Sequence, residues 1–529
     1  MAIIISQIKT GLDEPKENAV SRAMAALRLK PGDIAEARLY KSSVDARREV
    51  CFVHSVYIRL KDRQREKRIA EKRPEVRLYE PGELMVKRGS EKLRGDIYVA
   101  GFGPAGMFCA LTLCEFGYKP VVLERGADMD RRIAAVEGYW HGGALNRSSN
   151  VQFGEGGAGT FSDGKLTTRI NDPLCSRVLE RLAEFGAPEE ILTQAKPHIG
   201  TDRLRSVVRN LRQRVISLGG EVRFLTPLEG VELRCGRLES IRINGADSPC
   251  GALALAVGHS AHDTFRMLRE SGVELVPKPF SVGARIEHLQ TDINLALYGK
   301  YAGHPALPPT EYQLSYHEGG RGVYTFCMCP GGYVVASASE PGTVVTNGMS
   351  YFDRAGRNAN SAVLVSVSPE DFGGGPLGGA EFIQRLEQQA FQMGRSGKAP
   401  AALTREFIAG GSNFTLGRVE PTYSLGVEPA DLNRLFPEYV STPLKNGLRY
   451  FDRRIPGFSD SDSVLTAIET RSSSPVRLPR NESGFAECAD NLFPCGEGCG
   501  YAGGIMSAAV DGIKTAVRIM EKYSPDSGE

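Results

Sequence analysis

The chain has 529 residues, of which 41% are hydrophobic and 24% charged, with a formal net charge of +2. That length exceeds what one hydrophobic core serves and predicts two or three domains, and the composition is that of a globular protein rather than a disordered or membrane chain. No apolar run approaches the roughly 18–20 residues that span a bilayer, and the start lacks the basic region of a secretory signal, so a cytoplasmic protein without membrane contact is expected.

Eleven cysteines, an odd number scattered without dense spacing, suit a reducing compartment, with most acting as small buried hydrophobes. Charge is uneven along the chain. Residues 1–90 carry 20 Lys and Arg against 13 Asp and Glu. They are expected to form a small basic α/β module, with a helix over 17–29, a strand over 50–60 and a basic segment at 61–73 leading through Pro81-Gly82 to the next domain. A solvated helix or linker explains that basic segment, and an anionic partner such as nucleic acid is the sharper reading.

From residue 91 the texture becomes strand, glycine turn, helix, strand. A short apolar strand over 96–100 leads into Gly101-Phe102-Gly103-Pro104-Ala105-Gly106, which opens a helix over 104–116, and a second strand over 119–123 ends in Glu124. This context turns a weak glycine pattern into a dinucleotide fingerprint. Gly101 makes the tight turn, Gly103 admits a pyrophosphate, and Gly106 lets helix and strand pack closely. Pro104 and Ala105 begin a helix whose free N–H groups and dipole face the phosphates. Glu124 is placed to accept both hydroxyls of an adenosine ribose and argues against a 2′-phosphate there. Arg125, Arg131, Arg132 and Val222 are further candidate contacts.

The fingerprint alone does not separate NAD from FAD. A second glycine-dense loop, with Gly156, Gly157, Ala158, Gly159 and Thr160, can lie against a pyrophosphate or an isoalloxazine. Val257 and Gly258 end a strand over 253–257 that can extend the same sheet, as can strands over 221–225 and 231–234. Near the end of the chain a strand runs into an acidic turn at Gly496 and Glu497, and Gly503, Gly504 and Ile505 then open a final helix. An NAD-dependent dehydrogenase has no need of that closing element, whereas a flavoprotein uses the turn for the ribityl and pyrophosphate portion and the helix N-terminus for the flavin pyrimidine. The expectation is FAD, held by segments at 91–270 and 481–529, with a β-rich substrate domain inserted at 271–480. The Gly373-Gly374-Gly375 cluster reads as a loop.

The segments Asn150-Val151-Gln152-Phe153-Gly154-Glu155-Gly156-Gly157 continuing to Lys165, Lys196-Pro197-His198, Lys278-Pro279-Phe280, Phe326-Cys327-Met328-Cys329-Pro330-Gly331-Gly332 and Glu469-Thr470-Arg471 resemble the bacterial and plastid family labelled uncharacterised FAD-dependent dehydrogenases. The resemblance covers essentially the whole chain. It implies FAD and a Rossmann-type nucleotide domain of the glutathione-reductase type, with no agreed substrate. His262 stands where the family pattern leads one to expect arginine.

Candidate catalytic residues are His259, for proton transfer near neutral pH, and Cys327 and Cys329, which alternate on a strand. Cys495 and Cys499 bracket the flavin turn. Packing is the bland role for these thiols, a redox or substrate-contacting role the sharper one, and their spacing does not suit a metal. Arg285 and Glu287, with His288 beside them, and the pair Glu469 and Arg471 are candidate substrate contacts, against ordinary ion pairing. The expected function is a dehydrogenase or reductase passing hydride or electrons through flavin N5 to or from a small molecule. With one dinucleotide fingerprint, NADH or NADPH docks transiently, or a protein donates electrons. The alternatives are a flavin-carrying RNA-modifying or redox-sensing protein that contacts nucleic acid through residues 1–90, and a flavin-dependent monooxygenase.

Overall fold

The computed structural model describes residues 1–525 apart from Pro81, Glu83 and Ser461, so the expected Pro81 break lies outside the described residues. The N-terminal module has the order strand, helix, strand, strand, helix, strand. Its antiparallel sheet runs Ile34–Asp45, Cys51–Leu60, Ala2–Thr10, Val76–Tyr79. This is the ferredoxin-like split βαβ arrangement. One face buries Ile3, Ile5, Val56 and Ile58 against Ala19 and Ala23 of the helix Asn18–Ala26. The basic segment forms the helix Arg63–Lys72, capped by Asp62, which accepts from the N–H groups of Gln64 and Arg65. Arg65, Arg68 and Arg73 are ion-paired to Asp33, Asp62 and Glu75. The module is hydrogen-bonded to the rest of the chain through Ser42, which exchanges backbone bonds with Thr193 and Ala195.

The second sheet carries the glycine turn. Its parallel core has the order Glu221–Arg223, Val121–Leu123, Asp96–Ala100, Ala246–Leu255, Leu492–Pro494. Strands far apart in sequence therefore lie side by side. Gly230–Arg234 and Arg237–Ile243 extend the sheet as an antiparallel meander beside the first half of Ala246–Leu255. Apolar side chains on both faces of Asp96–Ala100 are buried, as an inner parallel strand requires. The final helix Ile505–Lys522 crosses the helix Pro104–Glu115 so closely that a Cβ on Gly512 would lie 2.1 Å from the carbonyl oxygen of Ala105.

The third sheet, of seven strands, runs Ser315–Glu318, Arg321–Cys329, Asn358–Val367, Phe280–Leu289, Val464–Glu469, Ala399–Leu403, Val427–Pro429. Two long helices that the sequence reading did not anticipate, Gly378–Gly394 and Glu438–Arg454, bury Phe382, Ile383 and Leu386, and Val440, Leu444, Leu448 and Phe451, in the same core. These spacings of three and four are one helical stripe each. Gly447 is needed where the second helix meets the sheet, because a Cβ there would sit 2.5 Å from Cγ1 of Val323. Among the described residues, no helix is long and apolar enough to cross a membrane.

Candidate functional site

A cavity of about 1280 Å³ opens between the second and third sheets. Gly101, Gly103, Pro104 and Ala105 line it at the first turn, with Gly157, Ala158 and Gly159, with Val257 and Gly258, and with Glu497, Gly503, Gly504 and Ile505 from the closing segment. The turn is built from backbone necessity. Gly101 has φ +102°, and a Cβ there would lie 2.3 Å from the carbonyl oxygen of Ala256; one on Gly106 would lie 1.9 Å from that of Gly101. Gly103 is different. It has an ordinary φ of −80°, and the nearest atom to a built Cβ is Cα of Gly157 at 3.7 Å.

Two helices that reach the cavity, Pro104–Glu115 and Ile505–Lys522, begin at glycines, Gly103 and Gly504, without a side-chain cap. Their first-turn N–H groups are therefore available to an anion. Glu124 is 4% exposed and lines the cavity, and its carboxylate accepts from the N–H groups of Phe102 at 2.9 Å, Gly126 at 2.8 Å and Gly154 at 3.0 Å. It ties both glycine loops together. With three of about four acceptor sites taken, it has capacity for roughly one ribose hydroxyl rather than the two expected.

Several expected contacts lie outside the cavity lining. Arg132 is fully buried, and its guanidinium donates to the carbonyls of Asn150, Val151, Gly154, Glu155 and Gly157. It organises the glycine loop from behind instead of meeting a phosphate. Arg131 pairs with Asp128 at the surface. Arg125 does line the cavity, but its guanidinium is held by Asp263 and Thr264 and lies 4.4 Å over the Phe153 ring. Gly106, Gly156, Thr160 and Val222 serve packing: Gly156 and Thr160 touch within their own loop, and Val222 packs on the nucleotide core. Gly496 is buried against Ala105, and its N–H is fixed by Asp511, which also holds Arg480 in a bidentate pair.

On the opposite wall, Cys327 lines the cavity and Cys329 does not. The strand is irregular between Phe326 and Cys329, and Cys327 has φ +44°, so simple alternation fails. The Sγ of Cys329 donates to the Cys327 carbonyl at 3.3 Å. Interaction with the Cys329 thiol, with help from Arg285 and Lys165, holds the Cys327 thiol below the ordinary range, whereas that of Cys329 is pushed up. Burial pushes Cys499 up to about 12, and Cys495 rises with it. At pH 7, alkylation with iodoacetamide followed by peptide mass mapping is expected to modify Cys327 well before Cys495 and Cys499; equal rates would contradict this arrangement.

Arg285 and Glu287 also lie off the cavity. Arg285 is fully buried and forms a two-pronged pair with Glu469 at 3.0 and 2.9 Å, while also donating to Asn360 and to the Cys327 carbonyl. Glu287 is consumed by Thr422 and Asn358 inside the third sheet. Glu469 and Arg471 do line the cavity, yet Arg471 is clamped by Glu387 at 2.7 and 2.9 Å. Arg471 also donates to Nε2 of His262, whose Nδ1 faces Glu340.

His259 lines the cavity but does not titrate near neutrality. Burial, reinforced by Arg471 and His262, pushes it down to about 3. Gln152 donates to Ser337 and Ser260 donates to Gln152, so Nδ1–H of His259 donates to Ser260 at 2.8 Å and Nε2 is left as an acceptor. Sequence reasoning also passed over Glu311 and Arg169, which line the cavity, and gave Lys165 and Lys196, which line it too, no role. Glu311 sits in a stretch without periodicity and offered no signal.

A family model described as FAD-dependent protein, C-terminal domain-like, matches residues 279–472. A Clostridium beijerinckii protein described as uncharacterized is 47% identical over 532 residues, covering 99% of each chain. The chain belongs to this family of FAD-dependent proteins. Its cofactor is FAD, and the chain is a flavoprotein. Among solved structures, a geranylgeranyl bacteriochlorophyll reductase-like protein from Thermoplasma acidophilum is 14% identical, with TM-score 0.34 over 82% of this chain and 79% of that one. CtdE in complex with FAD is 11% identical, with TM-score 0.32 over 81% and 83%. The uncapped helix ends, and the two glycine loops that line the cavity with backbone in contact at Gly103 and Gly157, fit the pyrophosphate of FAD.

Proposed function

We propose that this flavoprotein is an oxidoreductase with a glutathione-reductase-type flavin domain, acting in the cytoplasm on a small molecule held between the second and third sheets. The observation that carries the reading is the continuity of the cavity: the dinucleotide turn forms one wall, and Tyr324, Phe326 and Cys327 of the third sheet form another. FAD, when bound, supplies a carrier of an electron pair at flavin N5. The chain's own contribution is to bind, orient and exclude water. The helix at Pro104 neutralises phosphate charge, and the helix at Ile505 presents its positive end to the cavity. Glu497, pushed up to about 7 by burial against the opposing pull of Lys278, sits at the turn where a proton can be held or released. Tyr324 and Phe326 narrow the space available to water.

One fingerprint serves one dinucleotide, so a nicotinamide donor docks only transiently in this reading. Anaerobic mixing of holoprotein with NADH or NADPH is expected to bleach the flavin absorbance with one of them. Bleaching by neither moves the source of electrons to a protein donor, and a flavin that dithionite cannot reversibly reduce would contradict the oxidoreductase reading.

A further inference from the structure

The cavity is larger than the about 300–1,000 Å³ of an ordinary small-molecule site, which leaves space beyond the dinucleotide turn. After the second glycine loop the chain runs along that space, and Lys165, Arg169 and, from a separate loop, Lys196 line it. Their hydrogen-bond donors are not spent. Nζ of Lys165 lies 3.7 Å from Glu311 and 4.0 Å from Asp163, and Nζ of Lys196 lies 3.8 Å from Glu311. These are ion-pair distances too long for hydrogen bonds.

Both carboxylates are already held by Arg354, which donates to Asp163 at 3.1 Å and to Glu311 at 2.8 Å. Arg169 has no ion pair or hydrogen bond among the described residues. Three cations thus share two carboxylates and Arg169 pairs with neither, and Lys165, Lys196 and Arg169 line the cavity with unused donors. Arg169 and Lys196 are exposed and Lys165 is half-buried, so the excess stands on the solvent-facing part of the lining, where positive charge attracts and orients an anion. Lys165 lies beside Asp163, Glu311 and, on the third-sheet wall of the cavity, Cys327, and none of the three cations belongs to the two uncapped helix ends.

We infer that Lys165, Arg169 and Lys196 form an anion subsite for a carboxylate or phosphate group of the molecule that exchanges electrons with the flavin. The inference rests on the oxidoreductase reading and deepens it by giving the partner's chemical class. That group can belong to an organic acid or to the phosphates of a nicotinamide dinucleotide, and both share the same recognition.

Holoprotein titrated with succinate, inorganic phosphate, NAD+ and NADP+, followed by flavin difference absorbance, tests it, with succinamide as the uncharged control. Saturable binding of at least one anion is expected, weakening as salt rises. Lys165→Gln and Arg169→Gln should each raise its Kd at least tenfold while FAD content stays that of the parent. Binding of NAD+ or NADP+ without succinate identifies the dinucleotide as the source, and binding of succinate alone identifies an organic acid. Unchanged Kd values in both variants, or yellow holoprotein that binds none of the anions, would overturn the subsite. A colourless parent protein would instead remove the flavin reading beneath it.

Discussion

Gly103→Asp is expected to yield folded protein that carries no FAD. The position separates binding from folding. Unlike Gly101 and Gly106, whose added Cβ atoms would strike backbone, Gly103 has an ordinary φ, and an added Cβ there would make only an ordinary contact, 3.7 Å from Cα of Gly157. The Cβ of an aspartate there needs no backbone movement, and the carboxylate stands at the uncapped helix end that lines the cavity. It takes the place that a pyrophosphate would occupy and repels it, and like-charge juxtaposition costs several kcal/mol. FAD affinity should therefore fall by about 100-fold or more. Circular dichroism and the thermal midpoint of the FAD-free protein should match those of parent apoprotein. Stoichiometric yellow cofactor in the variant would show that the phosphates lie elsewhere.

Arg285→Ala is expected to cost stability on the scale of ~3–5 kcal/mol, because Glu469 would be left buried without its partner. The pair is 0% and 5% exposed at its side chains. Truncation also removes the donors to Asn360 and to the Cys327 carbonyl, loosening the cavity wall at the irregular stretch of strand. Urea unfolding of the apoprotein measures the loss. Removing both charges, as in Arg285→Met with Glu469→Leu, should recover part of it, since packed apolar groups replace a buried pair at little cost. An unchanged midpoint for Arg285→Ala would mean that water reaches Glu469.

The features legible in the sequence are those whose chemistry is local. A strand, three glycines at fixed offsets and an acid at the next strand end describe one turn completely, and the structure places Gly101, Gly103 and Glu124 on one cavity. The partner of that turn, the segment from Gly496 to Ile505, was legible because it repeats the same strand-to-helix logic. What stayed hidden depends on distance or on inverted surroundings. The pairing of Arg354 with Asp163 spans 191 residues and leaves no local pattern. Arg132 reads as a phosphate ligand because it follows the second strand, but the direction of its guanidinium is decided by five carbonyls of a loop folded behind it.

The helix Glu438–Arg454 was missed because Pro443 and Gly447 count against a helix. Tertiary packing outweighs that propensity here, since its apolar stripe closes the third sheet's core. The strand Ile34–Asp45 lies at the edge of its sheet, mostly half-buried. Its alternation is therefore weak, and the whole ferredoxin-like module could be recognised only as a small α/β unit.

Everything functional depends on distant segments closing around one flavin. The direct measurement is the identity and stoichiometry of the cofactor released on denaturing the purified protein, by absorbance and mass spectrometry, repeated after incubation of any colourless fraction with FAD. One FAD per chain is the expected result. A chain that binds none, even when supplied with excess FAD, contradicts it.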